Sequence, residues 1–189
     1  MYEKSTVKKL RVVQVVVILV FTLAAMAVQA RQRPDVQKLA DGFQRIELDS
    51  GYTFEWKIDG DEMEATISAP TTGWVAIGFN PTNRMQGATF VIGYVQNGNV
   101  NMRHDWGHAP TSHRAVTSVG GTNRVTSLGG REQDGRTELS FRLPLDPGDR
   151  FFSALKAGED NTVIWSFGRN GDKNYSARHV ERGAFVAGF

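Results

Sequence analysis

The chain has 189 residues, with 22 Lys and Arg against 20 Asp and Glu, four His and no Cys. That length supports one domain with its own hydrophobic core. The lack of Cys excludes a disulfide framework, a Cys-ligated iron–sulfur cluster, covalent c-type haem and a cysteine nucleophile, and the near balance of charge gives no sign of a nucleic-acid surface.

Lys4, Lys8, Lys9 and Arg11 form a basic start, and an apolar run follows from Val12 to Val28, broken by Gln14. Val28-Gln29-Ala30 then places small or modest residues at the −3 and −1 positions before the polar Arg31-Gln32-Arg33-Pro34. This layout predicts a signal peptide over residues 1–30 and an exported protein, periplasmic or secreted. The alternative is a retained single-span anchor, because the run approaches the ~20 apolar residues that a span needs. Only in that case does the chain meet a membrane. The leader carries four basic residues against Glu3, so the rest of the chain has a formal charge of −1.

Residues 31–42 are polar and carry Pro34. They read as a linker with one short helical turn around Val36–Ala40. From residue 43 to residue 189 the pattern is that of a single β domain. Phe43–Leu48, Tyr52–Ile58 and Met63–Ala69 each alternate apolar and polar residues, which places one face of a strand in a core and the other in water. Trp74–Phe79 and Ala88–Val95 are short runs rich in aromatic and β-branched residues, the mark of strands buried on both faces.

Four dipeptides, Asp59-Gly60, Asn97-Gly98, Asp134-Gly135 and Asn170-Gly171, place Asn or Asp before Gly. That pair tolerates positive φ at both centres of a type I′ hairpin turn. They predict hairpins joining 52–58 to 62–69, 88–96 to 99–106, 123–132 to 136–143, and 162–169 to 174–181. Only Pro147–Lys156 has the composition for a helix of more than one turn. Many short strands with regular turns predict an all-β fold, an antiparallel sandwich or barrel.

Between the two apolar runs, Asn80-Pro81-Thr82-Asn83-Arg84-Met85-Gln86-Gly87 is an exposed connection that carries one soft sulfur donor, Met85. Three of the four histidines, His104, His108 and His113, gather with Asp105 between residues 104 and 113. Such residues can hold zinc or copper, but these lie on a Gly/Pro stretch that reads as a solvated loop after a strand ending at Trp106. The sequence carries no Gly-x-Ser-x-Gly, no phosphate-binding glycine loop and no His-Glu-x-x-His. His179 lies in a strand-like stretch near the end, and Met with His is a known axial pair for electron-transfer haem.

At these residues the chain resembles a family. Gly73-Trp74-Val75-Ala76-Ile77-Gly78-Phe79, then Met85-Gln86-Gly87-Ala88, then Val91-Ile92-Gly93-Tyr94 resemble a DOMON domain. Leu139–Leu145, Val163–Gly168 and the closing Tyr175, His179 and Arg182-Gly183 follow in the family's order, over roughly residues 43–185. Thr89 stands where the family often has Asp. The resemblance implies an immunoglobulin-like antiparallel β-sandwich. It also implies non-covalent haem b, as in the cytochrome domain of cellobiose dehydrogenase, with Met85 and His179 as the axial ligands of the iron. Trp74, Phe79, Phe90, Trp165 and Phe167 are candidates for the apolar slot, and Arg178 or Arg182 for a haem propionate.

With both axial positions filled, no position remains for oxygen or substrate. The expected role is therefore electron relay, without catalysis of its own, to or from a separate redox partner such as a membrane cytochrome or a dehydrogenase. The alternative is a haem-free DOMON module that binds a sugar or other small ligand through Trp106 and the 104–113 segment.

Overall fold

The computed structural model describes residues 33–189, so the signal peptide expected over residues 1–30 lies outside the described residues. Twelve strands follow in order: β1 (Gln37–Lys38), β2 (Gln44–Glu47), β3 (Thr53–Asp59), β4 (Glu62–Ala69), β5 (Val75–Phe79), β6 (Thr89–Gln96), β7 (Asn99–Ala109), β8 (Ser112–Ala115), β9 (Thr126–Gln133), β10 (Arg136–Pro144), β11 (Asp160–Phe167) and β12 (Glu181–Gly188). They form two six-stranded sheets, ordered β1-β2-β3-β4-β10-β9 and β12-β11-β5-β6-β7-β8. Every pairing is antiparallel.

The period-2 pattern decides which residues meet between the sheets. On β10, Thr137, Leu139, Phe141 and Leu143 are buried while the residues between them are half-exposed. Phe54 and Trp56 of β3 stack at 4.7 Å between ring centroids. Ile77, Phe79, Val163 and Phe185 of the second sheet complete the same fully or nearly fully buried cluster. Burial of each such side chain contributes about 1.5–3 kcal/mol. The alternation predicts a sandwich or barrel, the family resemblance implies the sandwich, and the sandwich is the fold observed.

Three of the four expected hairpins form. Asn97 and Gly98 have φ of 52° and 76°, and Asp134 and Gly135 have 51° and 74°, positive at both centres as a type I′ turn requires. Between β3 and β4 the two central residues are Gly60 and Asp61, and only Gly60 has positive φ, at 62°. That arrangement matches type II′, with Gly first.

The fourth hairpin does not form. Asn170 is not left-handed, and its side-chain oxygen accepts from the Thr72 N–H at 3.1 Å while the Gly171 N–H donates to Thr72 Oγ1 at 2.8 Å. Bonds to a distant segment hold this dipeptide away from a local reversal. The chain runs on through residues 168–180, which form no strand, before β12 returns to pair with β11.

Two helical expectations also fail. Val36–Ala40 contains β1, which pairs with β2 in place of a helical turn. Pro147–Lys156 forms no helix, because Asp146 and Asp149 each turn a carboxylate onto the backbone N–H two residues ahead, at Gly148 and Phe151. Such local bonds compete with helix, and Phe152 and Leu155 anchor the segment in the core. Among the described residues the only helical element is the 3-10 turn Val116–Val119.

Candidate functional site

A cleft of about 520 Å³ opens on the outer face of the second sheet, away from the inter-sheet core. This size is typical of small-molecule and cofactor sites. Its floor follows from one missing side chain. Gly78 on β5 sits in register with Phe90 on β6 and Ile164 on β11. A Cβ on Gly78 would come within 2.6 Å of the Phe90 ring and 2.9 Å of Ile164 Cγ1. Glycine therefore lets the two apolar side chains close over the strand. Trp165 reaches the cleft across Gly183, where a Cβ would meet its indole at 2.7 Å.

One wall is the β5–β6 connection. The Gln86 N–H donates to the Asn83 carbonyl at 2.9 Å, which closes a two-residue turn with Arg84 and Met85 at its tip. Arg84 has φ of +56°, a left-handed conformation that disfavours any residue with a Cβ. The turn is tied down from both sides. Met85 N–H donates to the Pro110 carbonyl at 3.3 Å, and Gly87 N–H to the Gly107 carbonyl at 2.7 Å. Asn80, also left-handed, donates from its amide to the Ala154 carbonyl and accepts from the Thr162 N–H.

The other wall is Arg178, His179, Arg182 and Gly183. His179 was expected on or beside the last strand and lies in the loop just before β12. Arg182 Nη1 donates to His179 Nε2 at 3.3 Å. Burial, then the charges of Arg182 and Arg178, lower the His179 pKa from its ordinary value, so the imidazole is neutral at pH 7. The structure thus places Met85 and His179, 94 residues apart in sequence, on the walls of one cleft. Arg84, Arg178 and Arg182 complete its rim, and no described lining residue is acidic.

Of the aromatic residues expected in the slot, Phe90 and Trp165 line it. Phe79 and Phe167 belong to the inter-sheet core, and Trp74 packs with Ala76 and Ile92 in a separate small cluster. Strand parity turns Phe79 away from Gly78 and into the core. Trp165 and Phe167 share one face and stack at 6.3 Å, so Trp165 belongs to the core cluster as well and lines the cleft as it passes Gly183.

The 104–113 segment is not the solvated loop its composition suggested. β7 continues to Ala109 and turns at Pro110-Thr111 into β8. His104 is 2% exposed, and its Nδ1 accepts from the Arg124 N–H at 3.2 Å. Burial lowers its pKa, outweighing the opposing charge of Asp105. Asp105 is fully buried and accepts from Arg103 in two bonds of 2.5 and 2.6 Å, with His113 Nδ1 2.5 Å from the same Oδ2 that Arg103 Nη2 reaches. Burial pushes the Asp105 carboxyl up, but these bonds and charges win, so its pKa lies below the ordinary value. Among the described residues no group of three or more His, Cys, Asp or Glu is arranged to hold a metal ion.

Gly107 escaped the sequence reading. A Cβ there would overlap the Met85 carbonyl, so its bare backbone is what lets the Met85 turn rest on β7. Its position inside a His-rich stretch gave no hint of this.

The family model of the DOMON domain matches residues 48–168. The chain belongs to the DOMON family. Met85 lies within the matched region of this DOMON domain and His179 beyond its end. Among solved structures, the cytochrome b domain of pyranose dehydrogenase from Coprinopsis cinerea superposes with a TM-score of 0.62 at 14% identity, covering 82% of this chain and 87% of that one. The cytochrome domain of Myriococcum thermophilum cellobiose dehydrogenase gives a TM-score of 0.59 at 14% identity, covering 82% and 88%. At such identity the likeness speaks for the fold. No curated protein matches the chain. Among the described residues no helix is long and apolar enough to cross a membrane.

Proposed function

We propose that this DOMON domain is an exported electron-transfer domain that binds haem b without a covalent link, with Met85 and His179 as axial ligands. The observation that carries the reading is that Met85 and His179 both line one cleft, whose floor is apolar and whose rim is cationic. Each feature suits a flat cofactor that is apolar in its body and bears two carboxylates at one edge. The fold shared with two cytochrome b domains supports the same reading.

Bound there, haem b supplies an iron that changes oxidation state by one electron. The protein's own residues do the remaining work. A thioether and a neutral imidazole hold iron without adding charge, and the thioether favours a higher reduction potential. Phe90, Ile164 and Trp165 keep water from the cleft floor. His179 Nε2 cannot both accept from Arg182 and ligate a metal, so ligation through this nitrogen frees the Arg182 guanidinium for a propionate. Arg178 is the second candidate for that pairing, since guanidinium and carboxylate form strong charge-assisted bonds. Two protein ligands leave no open coordination position, which argues for relay and against catalysis by the domain itself. The partner is a separate redox protein, such as a membrane cytochrome or a dehydrogenase.

A visible spectrum of the purified full chain, apo and after haem titration, tests the proposal. The expected result is stoichiometric uptake, an intense Soret band, and α and β bands that sharpen on reduction. A protein that takes up no haem overturns the reading and leaves a haem-free module for a sugar or other small ligand.

A further inference from the structure

The arginines around the cleft differ from those on the opposite sheet. Arg45, Arg131 and Arg142 there each lie within 4 Å of a carboxylate, and Arg136 bonds instead to Ser68 Oγ and the Gly51 carbonyl. Arg84, Arg178 and Arg182 are exposed, and among the described residues none of them forms an ion pair. Arg182 has only its bond to neutral His179. The rim gathers from two separate segments, residues 80–88 and 178–183. The first has no acidic residue at all, and Glu181 in the second is absent from the cleft lining.

Arg84 adds an independent argument. It occupies the first position of a two-residue turn at φ +56°, where Gly or Asn suits the backbone better. A strained backbone position is kept where the side chain has a use. The guanidinium is not used inside the protein: it has no hydrogen bond and no carboxylate among the described contacts.

A protein with a formal charge of −1 outside its leader thus presents a local cationic collar around its cleft. Two propionates neutralise two charges at most. A third guanidinium remains on the face through which an electron must enter or leave. Small-anion sites are usually enclosed, whereas this collar is open, which favours a broad anionic surface.

We propose that this cationic cleft mouth is the docking surface for an acidic protein, whose Asp and Glu side chains seat over it, on Arg84, Arg178 and Arg182 in the apo protein and chiefly on Arg84 once propionates occupy the other two. That the acidic protein is a redox partner rests on the electron-transfer reading; its charge does not. Complementary charge of this kind speeds encounter and sets orientation, and salt weakens it.

A haem-independent measurement tests the docking surface. The apo full chain is titrated with a deca-glutamate peptide and with a deca-lysine peptide, at low salt and at about 300 mM NaCl. Binding of the acidic peptide alone is expected, weakened about tenfold or more by salt. Arg84→Gln with Arg178→Gln should weaken it about tenfold, while the control Arg131→Gln on β9 leaves it unchanged. Equal binding of both peptides, or equal loss in the control, overturns the proposal. Displacement by inorganic phosphate at low millimolar concentration also overturns it, in favour of a small-anion site.

On haem-loaded protein, oxidation by anionic ferricyanide should slow with salt, and oxidation by cationic tris(phenanthroline)cobalt(III) should quicken. The opposite trend overturns the proposal even if haem is bound. Failure to load haem leaves the peptide result to stand by itself, so the two readings fail separately.

Discussion

Gly107 lies flush against the backbone of Met85: a Cβ on Gly107 would overlap the Met85 carbonyl oxygen, and the Gly107 carbonyl takes the Gly87 N–H at 2.7 Å. The position of the sulfur donor is thus set by a glycine 22 residues further along the chain. Gly107→Ala should push the 83–87 turn off β7. Because the turn sits outside the inter-sheet core, the cost to stability should be modest, about 1–3 kcal/mol, while haem retention falls more steeply. Thermal melts and haem titration of the same preparation measure the two effects.

Gly78 makes a second, independent test of the cleft. Its substitution by Val would place atoms where the Phe90 ring and Ile164 now close over the strand. The floor should rise into the cleft and block a flat ligand, with both sheets still formed. Circular dichroism should keep its β signature while haem uptake falls at least about tenfold. Uptake equal to wild type would show that haem sits elsewhere.

Much of the fold is legible in local pattern. Alternation from Tyr52 to Ile58 and from Met63 to Ala69 foretold β3 and β4, and three Asx-Gly turns fall between strands that pair. These signals lie within the residues that use them. Asn170-Gly171 carries the same composition, yet its bonds go to Thr72, and no local pattern reports a partner 98 residues away. β8 was hidden because Pro110 and Thr111 make the 104–113 stretch look like a loop, although they form only its turn. For the site, Met85 and His179 stand out in the sequence as a sulfur donor on a polar loop and a lone imidazole, and family resemblance pairs them as ligands. Gly78 and Gly107 matter through close approach by distant segments, which composition does not record.

Acid should weaken the fold in two stages. His104 is buried and neutral in the folded protein, with its pKa lowered chiefly by burial. An unfolded chain binds this proton near the ordinary value of about 6.5, so below that pH the unfolded state gains protons first and stability falls as pH falls. His179, lowered in the same direction, adds to this window in the apo protein. Asp105 is lowered by His113 and Arg103 against the effect of burial. Its stabilisation is present above the ordinary carboxylate value and is lost in more acidic solution, as pH falls through the folded pKa. Urea melts from pH 7.5 to 3 should therefore show one decline beginning near pH 6.5 and a second below about pH 4. His104→Gln should flatten the first and leave the second.

The two proposed ligands should respond unequally to removal. His179 reaches the cleft as a neutral imidazole held against Arg182, so at pH 7 its ring needs to give up only that bond, and no proton, to ligate a metal. Imidazole is the stronger of the two donors and the usual anchor of haem iron. His179→Ala should lower haem affinity more than about a hundredfold, beyond the loss expected from removing a mere supporting partner. The variant should keep its melting behaviour, because His179 sits in a loop outside the core. Met85 is tethered through its backbone at Pro110, and through its neighbours at Gly107. Met85→Ala removes the thioether without disturbing those bonds. The cleft keeps its shape and its imidazole, so haem should remain bound. The reduction potential should fall, and one coordination position should open to added imidazole or carbon monoxide. A spectroscopic titration of each variant with both ligands reads this out directly. If Met85→Ala keeps the wild-type potential and takes up neither ligand, Met85 is not an axial donor, whatever the haem affinity of the protein.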